Sequence, residues 1–116
     1  MAQSALDIAE TRHGPICVLS LSGRIDSSNA STLSTSLAAL FEAGEKAVVV
    51  DFASIAYLTS AAFRALLVAS AQAEKNGARM VLCGIVGQVR ELFEMGGLLK
   101  AFNIHASRDD ACTQLG

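Results

Sequence analysis

Residues 47–70, AVVVDFASIAYLTSAAFRALLVAS, decide the fold. Ala47 to Val50 is an apolar run rich in β-branched residues and reads as a fully buried strand. Asp51 ends that run, and Phe52 to Leu58 then alternates loosely between apolar and small residues. Thr59 and Ser60 follow, and after them a long stretch of helix formers without Gly or Pro. This pattern predicts a helix from Ser60 to Lys75, with Phe63, Leu66, Leu67 and Ser70 as its apolar stripe and Asn76-Gly77 as its stop. A hydroxyl at the start of a helix can accept from an unpaired amide of the first turn. The stretch therefore sets a serine hydroxyl at the positive end of a helix, on the edge of a sheet. Phosphate or another anion is favoured there.

Upstream, Ser4 to Glu10 alternates around Leu6 and Ile8 and predicts an edge strand. His13-Gly14-Pro15 is a turn signal, so the next strand, Ile16 to Leu21, forms a hairpin with the first. Ile16, Val18 and Ser20 fall on one face of it, and Cys17, Leu19 and Leu21 on the other. Gly23-Arg24-Ile25-Asp26 leaves that strand. Ser27-Ser28-Asn29 supplies N-cap candidates for a helix to about Ala43, with Leu33, Leu37, Leu40 and Phe41 at helical spacing and Gly44 as its stop.

Downstream, Arg79 to Cys83 reads as a buried strand closed by Gly84. Val86 to Met95 reads as a short helix with a stripe of Val86, Val89, Leu92 and Phe93, broken by Gly96-Gly97. A last strand is placed at Phe102 to Ile104. A terminal helix is capped by Ser107, with Asp109 and Asp110 in its first turn. The order β-β-α-β-α-β-α-β-α predicts an α/β fold. Its mixed sheet has four to five strands, parallel through right-handed crossovers and antiparallel at the opening hairpin, and it carries about four helices.

At 116 residues the chain fits a single domain over 1–116. A 52% hydrophobic share with 17% charged residues allows a buried core and argues against disorder. Net charge is −2 and the basic residues are scattered from Arg12 to Arg108, which argues against nucleic acid as a partner. The opening MAQSALDIAETR has acids where a signal peptide needs a basic region. No uncharged apolar run approaches the roughly 18–20 residues of a membrane span, so no membrane and a cytoplasmic location are expected. Three cysteines, Cys17, Cys83 and Cys112, are odd in number and widely spaced, which suits neither a disulfide framework nor a zinc site. Cys17 and Cys83 read as small core residues, and no metal or cofactor is expected. Gly84-Ile85-Val86-Gly87 lacks the Lys-Ser/Thr of a P-loop, Ser60 lacks Gly-x-Ser-x-Gly surroundings, and the two histidines, His13 and His105, lie outside the motif. No enzyme is expected.

Gly23-Arg24-Ile25-Asp26, a helix, and then Val50-Asp51-Phe52-Ala53-Ser54-Ile55-Ala56-Tyr57-Leu58-Thr59-Ser60 together resemble the STAS domain of bacterial anti-sigma factor antagonists. The resemblance covers essentially the whole chain. It implies a protein-binding module for transcription regulation by partner switching. Such a module sequesters an anti-sigma factor, itself a serine kinase, and so releases a sigma factor. The kinase phosphorylates the first serine of the family's D-S-S-G-L-G motif, and a serine phosphatase of the metal-dependent class reverses this. On this chain the phosphoacceptor maps onto Ser60 and the nearby acidic residue onto Asp26, with Thr59, Ala61, Phe63 and Arg64 completing the implied partner surface. Thr59 stands where the family has Asp, Ala61 where it has the second Ser, and Ala62 and Arg64 where it has Gly. These departures leave a second implied role open: a constitutive binding or scaffold subunit of a transporter or sensory complex. Plainer readings stand beside the implied ones. Either hydroxyl fits an N-cap, Asp26 fits a helix cap or a turn, Asp51 fits a strand end bonded to loop amides, and Arg64 fits a solvated surface cation.

Overall fold

The computed structural model describes residues 5–115. Five strands and four helices follow in the expected order: β1 (Leu6–His13), β2 (Ile16–Ile25), α1 (Ala30–Glu42), β3 (Ala47–Leu58), α2 (Ser60–Lys75), β4 (Arg79–Cys83), α3 (Gly87–Met95), β5 (Asn103–His105) and α4 (Arg108–Leu115). Ser4, where the sequence starts the first strand, lies outside the described residues. The strands form one sheet in the order β1-β2-β3-β4-β5. The β1–β2 hairpin is antiparallel, and every later pair is parallel.

Strand order equals chain order, and this fixes the layering. Successive right-handed crossovers that step in one direction place all their helices on one face. The core agrees. Cys17, Leu19, Leu21, Val48, Val50, Phe52 and Leu82 pack beneath α1, α2 and α3. The alternate residues Ile16, Val18, Val49, Val81 and Cys83 point the other way, where Ala111, Cys112 and Leu115 of α4 meet them. β2 and β3 therefore bury both faces, which is why their sequences run apolar without strict alternation. Phe93 is fully buried, with Phe52, Phe63 and Phe102 edge-on around it at centroid distances of 5.9, 5.0 and 6.3 Å.

Several expectations need correction. β2 does not stop at Leu21; it continues to Ile25, with irregular pairing between Ser20 and Ser22 and between Gly23 and Arg24. Asp51 does not end a strand. It sits in the middle of a twelve-residue β3, paired with Ser20 on one side and Cys83 on the other. The buried stripe of α2 is made of small residues, Ala62, Ala65, Ala69 and Ala73 with Leu66, while Leu67 and Val68 face outward. Small side chains here let α2 lie close to the sheet and to α1, a face that a stripe of large residues does not reveal. Val86 is an exposed N-cap residue of α3 and not part of its stripe.

Asp51 tolerates a mid-strand position because its carboxylate is satisfied. Oδ1 accepts from the Ala53 amide at 2.9 Å, and Oδ2 accepts from Arg108 Nη2 at 3.1 Å and Nε at 3.3 Å. Arg108 also donates to Ser20 Oγ at 2.6 Å, so α4 is pinned across β2 and β3. Gly84 makes room for this cluster. Its φ is +71°, and a Cβ there would come within 2.7 Å of both Ala53 N and Asp51 Oδ1. At α4 the Ser107 hydroxyl caps Asp110 N–H at 3.2 Å, as expected.

Arg108→Ala should destabilise the fold by about 1–3 kcal/mol, because it leaves Asp51 largely buried without its cation. Urea unfolding measures this, and Asp51→Asn in the Arg108→Ala background should recover part of the loss. Burial, helped by the nearby charge of Glu10, pushes the Cys17 thiol up to about 11. Burial, helped by Asp51, pushes Cys83 up to about 12. Below the ordinary value of 9.0 both folded and unfolded chains keep these protons, and stability is unaffected. As pH rises from there toward the folded values, the unfolded chain ionises first and stability falls. Urea midpoints measured across that window should decline, and the decline should be shallower in Cys17→Ala/Cys83→Ala.

Candidate functional site

The candidate site lies at the C-terminal edge of β2 and β3. Ile25 pairs with Leu58 in register, and the Thr59 amide donates to the Ile25 carbonyl at 3.0 Å. Asp26 and Thr59 are thus the first residues off two neighbouring strands. Each leads into a helix on the same face of the sheet.

The β2–α1 connection is tied by its own polar groups. The Asp26 carbonyl accepts from Asn29 N at 3.2 Å and Ala30 N at 2.9 Å. Asn29 occupies the N-cap position of α1 but does not cap it. Its Oδ1 instead accepts from Asp26 N at 2.9 Å, and its Nδ2 donates to the Arg24 carbonyl at 3.1 Å. The Asp26 carboxylate accepts from both the hydroxyl and the amide of Ser28, and its other oxygen lies 3.8 Å from Arg24 Nε. Of its two plain readings, the turn is the one observed. The Ser28 hydroxyl, then the Ser28 amide, hold the Asp26 carboxyl below its ordinary range, with Arg24 helping.

The β3–α2 connection is shorter. Thr59 is the N-cap residue of α2, with an extended backbone, and Ser60 is the first helical residue. Thr59 thus holds the expected N-cap position, but neither its hydroxyl nor that of Ser60 makes a capping bond. Thr59 Oγ1 is buried and makes no hydrogen bond among the described residues. Ser60 is exposed, and its hydroxyl has no hydrogen-bond partner among the described residues. A nucleophilic oxygen is thus displayed at the end of α2 where backbone amides are unpaired.

The other expected site residues divide between two directions. Ala61 and Arg64 line a groove between α1 and α2. Phe63 turns to the core side, where its ring meets Phe93, and it is only half-exposed. Tyr57, in register with Arg24, adds a ring that is 43% exposed next to this edge, and Val68 adds an apolar side chain farther down α2. Residue type alone predicts neither exposure. No three His, Cys, Asp or Glu side chains among the described residues could hold a metal ion together. No described helix is long and apolar enough to cross a membrane.

A family model for the STAS domain matches residues 7–111. BtrV of Bordetella bronchiseptica, designated a candidate anti-sigma factor antagonist, is 37% identical over 91 residues, which is 78% of each chain. The crystal structure of an anti-sigma factor antagonist from Mycobacterium paratuberculosis superposes with a TM-score of 0.85 at 24% identity, over 94% of this chain and 92% of that one. The Bacillus cell fate determinant SpoIIAA in its phosphorylated form superposes with a TM-score of 0.72 at 15% identity, over 95% of this chain and 100% of that one.

The loop around Asp26 can be tested by itself. Its carboxyl should titrate below the ordinary aspartate range when followed by NMR, and Ser28→Ala should move it back up. A depressed folded value adds stability above the unfolded pKa, and that stability is lost as pH falls through the folded value. Ser28→Ala should therefore also flatten the acid limb of stability against pH.

Proposed function

The chain belongs to the STAS domain family, and from that premise we propose that it is an anti-sigma factor antagonist whose docking is switched by phosphorylation of Ser60. In this reading the unmodified edge, Asp26, Thr59, Ser60, Ala61 and Arg64, binds an anti-sigma factor that is itself a serine kinase, and a sigma factor is released. The chain is the kinase's substrate and ligand, not a catalyst, and it works in the cytoplasm of a bacterium. The observation that carries the reading is the exposed, unengaged hydroxyl of Ser60 at the first position of α2.

The chemistry is a phosphoryl transfer. Ser60 Oγ forms a bond to the γ-phosphorus of ATP while the bond to the ADP oxygen breaks, and the hydroxyl proton leaves to a base of the kinase. A metal-dependent serine phosphatase reverses the state by hydrolysis, with metals that belong to the phosphatase. The added group carries about −1.5 to −2 charges. At a helix N-terminus that charge is favourable by about 0.3–1 kcal/mol, so the fold should survive it. Switching must then act at the partner's surface, through repulsion or desolvation. A loss of ~3 kcal/mol there lowers affinity roughly a hundredfold. SpoIIAA, of the same fold, has been solved in both phosphorylated and unphosphorylated forms, which supports a modification that leaves the fold in place.

Titration calorimetry against the partner anti-sigma kinase tests the proposal. Ser60→Ala should bind like the unmodified chain and take up no phosphate with ATP, and Ser60→Asp should bind much more weakly. Equal binding by both variants would instead support the constitutive scaffold role, which Thr59 and Ala61, in place of the family's Asp and Ser, also fit.

A further inference from the structure

Arg64 stands where the family motif has glycine, and the structure gives it a specific place. It lies four residues after Ser60, so the two side chains share one face of α2 a turn apart, with Cβ atoms about 5–6 Å from each other. Helical side chains lean toward the N-terminus, so the Arg64 stem leans toward Ser60 and Ala61. With Ala61, Ala65 and Val68 of α2 it lines a groove of about 270 Å3, whose far wall carries Ser31 and Ser34 of α1. No carboxylate lines this groove. Nor does Arg64 belong to any ion pair among the described residues, which are Arg12–Glu45, Arg24–Asp26, Arg90–Glu94 and Arg108–Asp51. Arg24, the other cation at this edge, already faces Asp26, and the first turns of α1 and α2 hold no acidic residue.

We propose that Arg64 is a positioning residue for phosphate on Ser60. It draws the group back along α2 into the mouth of the α1–α2 groove, where Ser31 and Ser34 supply further donors. This rests on the phosphoacceptor reading of Ser60. A guanidinium presents a planar fork of donors that matches phosphate oxygens two at a time. The consequence is an intramolecular one. The phosphate is held against its own helix and partly neutralised, so the charge shown to a partner depends on Arg64 as well as on Ser60. Asp26 opposes the arrangement least when its carboxylate stays bound to Ser28 and Arg24, as it is here.

The test uses the full chain with phosphoserine installed at position 60 during translation, so no kinase is needed. The phosphorus NMR shift is followed through the second phosphate ionisation, which lies near about 6 for a free phosphoserine. It should fall roughly half a unit lower in the parent chain than in Arg64→Gln, because a nearby cation favours the dianion. Arg64→Lys should keep part of the lowering, and Arg90→Gln on α3 should leave it unchanged. Identical ionisation in the parent chain and Arg64→Gln would overturn the proposal. That result would leave the phosphoacceptor reading intact, since partner binding decides that reading.

Discussion

One backbone hydrogen bond, from the Thr59 amide to the Ile25 carbonyl, holds the functional edge in register. It is the last rung between β2 and β3, and beyond it the two chains leave the sheet side by side. Because the strands are parallel and the crossovers step one way, α1 and α2 both begin at this edge and on the same face. Ser60 cannot retreat into the core without breaking that rung. Nor can it join the strand, because Leu58, buried beneath the helices, sets the face on which Thr59 and Ser60 emerge. Exposure of the serine is thus a consequence of strand pairing and not of a flexible loop.

β3 carries two polar groups that the same physics treats differently. Asp51 lies mid-strand and is 9% exposed, and its carboxylate is held by Arg108 and the Ala53 amide beside a glycine that clears space. Removing any partner there costs stability, because an unpaired buried charge has no water to turn to. Ser60, eight positions after the Asp51–Phe52 pair of buried residues, is exposed to solvent, and its hydroxyl makes no hydrogen bond among the described residues. Charge can be added to it cheaply. The domain therefore separates a polar cluster that holds α4 on the sheet from a polar edge that is free to change state.

Much of this was legible in the sequence, for identifiable reasons. The strands and helices were readable because β-branched runs, helical spacing and glycine stops agree with one another at Ala47–Val50, Leu33–Phe41 and Gly44. The two faces of β2 followed from simple alternation. The start of α2 was legible to the residue because Thr-Ser precedes an unbroken run of helix formers. What the sequence hid depended on partners distant along the chain. Asp51 looked like a strand end because its cation, Arg108, lies fifty-seven residues away. Of the buried face of α2, residue size points only to Leu66, because alanines make the rest of it. Phe63 has a place both on the apolar stripe and on the implied partner surface, and its edge contact with Phe93 gives the half-exposed ring its inward side. The lack of a cap at Ser60 and Thr59 could not be read from residue type, since both hydroxyls are able to cap.

A large charge placed at residue 60 should leave the domain as it is. The most direct measurement compares the amide spectra and urea midpoints of the chain with and without phosphoserine at that position. Shifts should be confined to the start of α2, the β2–α1 connection and the facing turn of α1, with a nearly unchanged midpoint. Shifts spread across β3 and α4, or a midpoint that drops steeply, would contradict it.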